Sequence, residues 1–252
     1  MIRAALGGLS FAEPDLRKKV ICLLTTLVVI TALDSFAQVK PSVEDAPAKA
    51  TMATDPWDIG AFLQGGFGTN NRDDFHFLSA GARLGKVITD QHGPGFLRGQ
   101  FELAGELMPY WQSFTPAPHI QLTEYIYDGQ IGYAELPYGG GTFTGVSITP
   151  VILRWNLKPS RHFVPWAQGA GGLVYTTHKY PPDILVPHGQ PGGTSVWNFT
   201  PQFGIGFHYF LKPRRSIDFA ANAIHISNAS LGDRNPGVNA SVQFQIGYTW
   251  WK

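Results

Sequence analysis

From Trp57 onward, apolar and polar residues alternate with a period of two, which is the mark of two-faced β-strands and not of helices. In 57–67, Trp57, Ile59, Ala61, Leu63 and Phe67 alternate with Asp58, Gly60, Gln64 and Gly66. Segment 78–85 sets Leu78, Ala80, Ala82 and Leu84 against Ser79, Gly81, Arg83 and Gly85, and 97–107 sets Leu97, Phe101, Leu103 and Leu107 against Arg98, Gln100, Glu102 and Glu106. Segments 143–155 and 162–175 are less regular and contain Pro150 and Pro165. Each proline should mark a bulge or a strand end, because it cannot donate a ladder hydrogen bond. Regularity returns in 196–210, continues in 216–227, and ends in 239–250, where Ala240, Val242, Phe244, Ile246, Tyr248 and Trp250 face away from Ser241, Gln243, Gln245 and Thr249. The pattern predicts eight strands.

Eight such strands suit either a soluble barrel or sandwich with an apolar inside, or an outer-membrane barrel with an apolar outside. Three features favour the membrane. The polar face carries Arg83, Arg98, Glu102, Glu106 and Asp218 within strands, as a polar lumen of paired charges requires. Trp57, Trp155 and Trp250 fall near one set of strand ends, and Trp111 and Trp197 near the other, as interfacial girdles would. Short turns at 158–161 and 212–214 interleave with long loops at 111–141 and 176–193. The expectation is an all-β, eight-stranded antiparallel up-and-down outer-membrane β-barrel over 56–252, its lumen filled by side chains and not a pore.

Residues upstream of the strands read differently. Arg17-Lys18-Lys19, an apolar run from Val20 to Ala32, and Ser35-Phe36-Ala37-Gln38 follow the order of a secretory signal peptide, with cleavage expected after Ala37. The apolar run falls short of the about 20 residues of a spanning helix; the alternative is an uncleaved signal anchor. Residues 1–37 are thus a signal peptide with an extended lead, and the aperiodic Ala-, Pro-, Lys- and Glu-rich stretch 38–55 a flexible linker. A secreted, Gram-negative-type outer-membrane destination follows.

Composition narrows the chemistry. A net charge of +1 over 252 residues gives no electrostatic case for nucleic acid. The single cysteine, Cys22, excludes a disulfide framework or a cysteine-based metal site. The eight histidines show no metal-ligand spacing, and a lumenal histidine such as His208 reads as a polar core residue. Gly139-Gly140-Gly141 lacks the Lys-Ser/Thr of a phosphate cradle, and no Gly-x-Ser-x-Gly elbow occurs. No cofactor or metal is expected.

What stands out is Ile224-His225-Ile226-Ser227-Asn228-Ala229 in the seventh strand. Two apart in an extended chain, His225 and Ser227 share a face. Imidazole is the usual base that turns a serine hydroxyl into a nucleophile, although a bend after His225 is needed for hydrogen-bond reach. Their face is also the apolar one, since Ile217, Phe219, Ala221 and Ala223 precede them on it. Polar residues turned to lipid are costly unless functional; the bland alternative is a strand that has already left the bilayer. With the first strand running up from the periplasm, both residues lie at the outer end of the seventh.

His225-x-Ser227-Asn228-Ala229, followed by Asn235-Pro236-Gly237 and an aromatic-rich last strand, resembles the lipid A 3-O-deacylases, the PagL-like or acyloxyacyl hydrolase family. The resemblance implies an eight-stranded outer-membrane barrel that hydrolyses an ester-linked acyl chain of lipid A or a related lipid, with lipopolysaccharide as substrate. It casts Ser227 as nucleophile, His225 as general base, and Asn228 with nearby backbone N–H groups as oxyanion donors. The family keeps a glutamate twelve residues beyond the nucleophile, and this chain has Asn239 there. An amide can hold an imidazole but cannot stabilise imidazolium by charge; Asp233 is the alternative acid. Asn239 also has lumenal parity. A homodimer stays open. The competing reading is a non-enzymatic small barrel, structural or adhesive, that binds partners through its outer loops.

Overall fold

The computed structural model describes residues 46–181, 195–229 and 239–252. The expected signal peptide, its cleavage site, the first part of the expected linker, and Asp233 lie outside these residues. Eight staves close into an antiparallel barrel. Strands β1 (Trp57–Gly68), β2 (His76–Val87) and β3 (Gly99–Phe114) follow one another. A separate hairpin, β4 (His119–Tyr127) and β5 (Gln130–Tyr138), then leads to β6 (Thr142–Leu157) and β7 (Phe163–Tyr180). The next stave is made in two pieces, β8 (Ser195–Phe199) and β9 (Gln202–Lys212), and β10 (Arg215–His225) and β11 (Ala240–Trp251) finish the chain. Pairing runs β6-β3-β2-β1-β11-β10-β9-β7, and β6 pairs with β7 to close the ring. Closure leaves no barrel edge strand, which a hydrocarbon environment demands.

The alternation seen in the sequence is the alternation of the wall. Leu63, Leu84, Leu103, Leu107, Leu153, Phe203, Ile205, Phe244 and Ile246 are exposed on the outside, while Asp58, Arg83, Glu102, Glu106, Arg154, His208 and Gln243 are buried inside. An apolar exterior around a charged interior is the inverse of a soluble protein, and lipid is the solvent that suits it. Leu107 sits mid-way along β3. Leu107→Arg is expected to cost about 2–4 kcal/mol in lipid bilayers, read as a lower urea midpoint of folding into vesicles.

Inside, the charges are paired. Arg83 Nε lies 3.1 Å from Asp58 Oδ1, and its Nη2 lies 2.5 Å from Glu102 Oε1. Glu102 also takes Arg154 Nη1 at 3.4 Å and Asn156 Nδ2 at 2.7 Å. The Arg154 guanidinium stacks on Trp166, 4.0 Å from the ring centroid, and donates to Gln168 Oε1 at 2.7 Å. His208 Nε2 lies 3.3 Å from Arg154 Nη1. Arginine can only donate, so that nitrogen accepts, and Nδ1 carries the proton it gives Asp218 Oδ1 at 2.7 Å. His208 is thus the polar interior residue expected.

Several expectations need correction. Arg98 precedes β3 and is exposed, outside the lumen. Trp111 is buried in an interior cluster with Phe75, Phe77, Phe143, Val174, Tyr180, Ile224 and Ile226, and belongs to no girdle. The cause is a bulge between Met108 and Trp111, where Pro109 and Tyr110 both face outward and the parity slips by one. Thr149-Pro150 makes a second bulge, as its proline predicts, while Pro165 sits just ahead of the β6 pairing that starts at Trp166. The stretch 111–141, read as a loop, holds the end of β3 and the β4–β5 hairpin, turned at Asp128 and Gly129 with φ of 48° and 73°.

The presumed flexible linker ends in a helix, α1 (Pro47–Met52). Its Ala48 and Met52 pack on Val87, Val164, Phe210 and Trp251 and plug one mouth of the barrel. Thr51 Oγ1 accepts from Arg214 N at 3.0 Å, and Met52 O accepts from Gln100 Nε2 at 3.2 Å. The connections 88–98, 158–162 and 213–214 lie at this plugged end. At the other end are 69–75 and the hairpin-bearing 115–141, and there β7 and β10 end ahead of the longer stretches of sequence that precede β8 and β11, though 69–75 breaks the rule of strict alternation.

Candidate active site

His225 closes β10 at the end of the barrel opposite α1. Ile224 and Ile226 are buried inside, so the pleat turns His225 and Ser227 outward, and both are half-buried. The wall at that height is irregular. His225 N donates to Pro201 O at 3.0 Å, but Pro201 has no N–H to return, so the ladder loses a rung there. One step higher, Ser227 N donates to Phe199 O at 3.0 Å and Phe199 N to Ser227 O at 2.7 Å. This missing rung coincides with the break between β8 and β9 at Thr200-Pro201. Ala229, at φ 51°, turns the chain back so that its N–H donates to Ser227 Oγ at 3.1 Å.

The neighbours of this pair are apolar. Phe199, Phe203 and Trp197 are exposed on the outer face at 40%, 58% and 57%, and Trp197 lies beyond Phe199 towards the rim. Ser227, which pairs with Phe199, therefore lies short of the level of Trp197 along the wall. Beside it lies an outer groove of about 420 Å³, lined by Pro150, Gly171, Gly172, Leu173, Phe199 and Pro201. Gly171 is the outward residue of that step, and a Cβ on it would meet nothing within 4 Å, whereas one on Gly172 would press inward on Thr200 Oγ1 and Thr149 Oγ1. These groove residues were not singled out from sequence. The signal available was the Gly171-Gly172 pair facing a proline that interrupts the sixth segment.

The remaining candidates fall elsewhere. Asn239 O accepts from Ile226 N at 2.8 Å, so Asn239 sits opposite Ile226 and shares its inward face, 1% exposed. Its amide lies beside the Tyr180 hydroxyl, which accepts from Ser113 Oγ at 3.1 Å. The sheet separates it from the His225 ring. Asn228 is also buried on the inner side, leaving its backbone as the part closest to Ser227's face. Among the described residues, no hydrogen bond joins the His225 ring to Ser227 or to a carboxylate, and no group of three His, Cys, Asp or Glu could hold a metal ion. Histidine, serine, local N–H groups and an apolar groove facing lipid can together cleave a lipid ester.

The sequence profile of the lipid A 3-O-deacylase (PagL) family matches residues 99–249, more than half the chain and all of the site. The chain belongs to the lipid A 3-O-deacylase family. Membership places this barrel in the Gram-negative outer membrane, among ester hydrolases that act on lipid A. No curated protein matches the chain. Solved structures with a similar course include the outer membrane enzyme PagL, at 14% identity and a TM-score of 0.41 over 77% of this chain and 98% of that one. Neisserial surface protein A follows at 12% and 0.47, over 77% and 96%. Ail, the attachment invasion locus protein of Yersinia pestis, stands at 11% and 0.38, over 78% and 97%. His225 and Ser227 lie on the outer wall, at the end of the barrel opposite α1.

Proposed function

We propose that this deacylase removes one ester-linked acyl chain from lipid A in the outer leaflet, with Ser227 as nucleophile and His225 as general base. The observation that carries the reading is the outward turn of both residues beside exposed Phe199 and an apolar groove. A hydrolase of soluble substrates would gain nothing by facing its nucleophile into lipid. The acyl chain lies along the Gly171–Leu173 and Phe199–Pro201 groove, which brings its ester carbonyl over Ser227. Ser227 Oγ attacks that carbonyl as His225 takes its proton, and backbone N–H groups around Asn228 hold the oxyanion. His225 then returns the proton to the leaving sugar hydroxyl, and water repeats the sequence to release the fatty acid.

The third member is the open part of this constellation. Asn239 faces the interior, so Asn239→Ala is expected to slow fatty-acid release less than about 10-fold, against the 10²–10⁴-fold usual for losing a general base in His225→Ala. Asp233, in the connection after the nucleophile, is the carboxylate we assign to His225, and Asp233→Asn should cost more than Asn239→Ala. Initial rates of fatty-acid release from lipid A in mixed micelles rank the three variants. The reading as a whole is tested by expressing the chain in an outer membrane and weighing lipid A: loss of the mass of one hydroxyacyl chain supports it. An unchanged lipid A mass, with the barrel present and folded, overturns it in favour of a barrel that works only through its loops.

A further inference from the structure

At the plugged end of the barrel, opposite Ser227, a groove of about 390 Å³ runs between β1, β10 and β11, lined by Ile59, Arg214, Arg215, Trp250, Trp251 and Lys252. Its two parts differ in chemistry. Ile59 and Trp250 are exposed on the lipid-facing side of the wall, at 44% and 42%, while Arg214, Arg215 and Lys252 ring the end of the strands. Among the described residues, no carboxylate forms an ion pair with these three cations.

The turn that presents them carries a second clue. Pro213 and Arg214 connect β9 to β10, and Arg214 holds φ 65°, the left-handed conformation that a proline-led turn usually gives to glycine or asparagine. The backbone has no freedom to avoid it. Arg214 N donates to Thr51 Oγ1 at 3.0 Å, and Arg214 O accepts from Trp251 N at 3.1 Å and from Arg215 Nη1 at 2.7 Å. An arginine kept where glycine would be relaxed points to work done by its side chain.

We propose that this groove binds the phosphate of an anionic glycerophospholipid in the periplasmic leaflet, its acyl chain lying on Ile59 and Trp250. The leaflet assignment rests on the reading that Ser227 faces lipid A in the outer leaflet, since the two sites lie at opposite ends of the staves. Planar guanidinium forks match phosphate oxygens bidentately, and two arginines lining one groove suit a phosphodiester. A free phosphate would have no use for the apolar floor. The neighbourhood is that of a headgroup region: Tyr248 and Trp250 stack edge to face with centroids 4.7 Å apart, and Lys86 lies 5.6 Å from the Trp57 ring centroid.

The test uses the folded full chain in phosphocholine micelles, titrated with dioctanoyl phosphatidylglycerol and followed by thermal unfolding and tryptophan emission. A saturable rise in Tm is expected, absent with dioctanoyl phosphatidylcholine or with inorganic phosphate. Arg214→Gly relieves the left-handed residue, so it should fold at least as well, yet bind phosphatidylglycerol about tenfold more weakly. Arg215→Gln should weaken binding similarly, and both variants should deacylate lipid A as wild type does. Equal binding by wild type and both variants overturns the proposal, as does an equal response to phosphatidylcholine or to inorganic phosphate alone. A wild-type chain that deacylates lipid A but shows no phosphatidylglycerol response refutes this site alone; an inactive wild-type chain that still binds the lipid refutes the catalytic reading alone.

Discussion

Ser227→Ala is expected to leave a folded barrel that removes no acyl chain from lipid A. The structural cost is small because Ser227 is held by its main chain: both hydrogen bonds to Phe199 survive the substitution. Only the contact of Oγ with Ala229 N at 3.1 Å is lost, at a half-buried position, worth about 1 kcal/mol. The chemical cost is large because the substitution removes the hydroxyl that attacks the ester carbonyl. A fall of at least about 10³-fold in kcat is expected, and combining the change with His225→Ala should add little, since members of one catalytic unit are not additive. Heat-modifiable migration on gels reports folding beside the rate of fatty-acid release. A Ser227→Ala variant retaining a tenth of the wild-type rate would assign the chemistry elsewhere.

The second large effect is on stability. Glu102 is fully buried and accepts from Arg83, Arg154 and Asn156 at once. Glu102→Leu takes away the carboxylate that the Arg83 and Arg154 guanidinium groups share, leaving Arg83 its contact with Asp58 and Arg154 without a carboxylate at ion-pair distance among the described residues. Breaking a buried pair from one side costs about 3–5 kcal/mol, mostly through the charge left uncompensated. Urea unfolding in micelles should show that loss, larger than for a substitution on the lipid-facing side that exchanges one apolar residue for another. A Glu102→Leu midpoint equal to wild type would mean that the lumenal charges are hydrated independently and do not form the network described.

The staves were legible because each wall position has one solvent on each side, lipid or lumen, and the pleat turns that difference into a period of two. Legibility failed where the pleat slips. Pro109 and Tyr110 spend two consecutive residues on the outside, and everything from Trp111 onward in β3 then changes face. The β4–β5 hairpin escaped notice although Asp128-Gly129 is a strong turn signal, because its strands pair only with each other and carry no lipid–lumen alternation. Helix α1 lay within a segment whose composition resembles a linker; its two apolar contacts, Ala48 and Met52, make sense only once a barrel mouth exists to receive them.

The site was legible to a different depth. The outward parity of His225 and Ser227 followed from Ile217, Phe219, Ala221 and Ala223, and the pleat carries it through to Ser227. The inward parity of Asn239 was equally readable, and its position opposite Ile226 follows from the register of β10 with β11. The groove was not readable, because it is assembled from three staves: the Pro150 bulge, the side-chain-free Gly171-Gly172 step and the Thr200-Pro201 break. Sequence spacing reports what one strand does, whereas a seat for an acyl chain depends on how neighbouring strands are cut back.

The central claim is that Ser227 is an activated nucleophile facing lipid. A long-chain alkyl fluorophosphonate tests it without any assumption about lipid A: attack by an activated serine oxygen forms a P–O bond and expels fluoride. Intact-mass analysis of the folded protein should show one adduct, mapped by peptide sequencing to Ser227 and absent in His225→Ala. No adduct on the wild-type chain, or an adduct on another residue, would contradict the account.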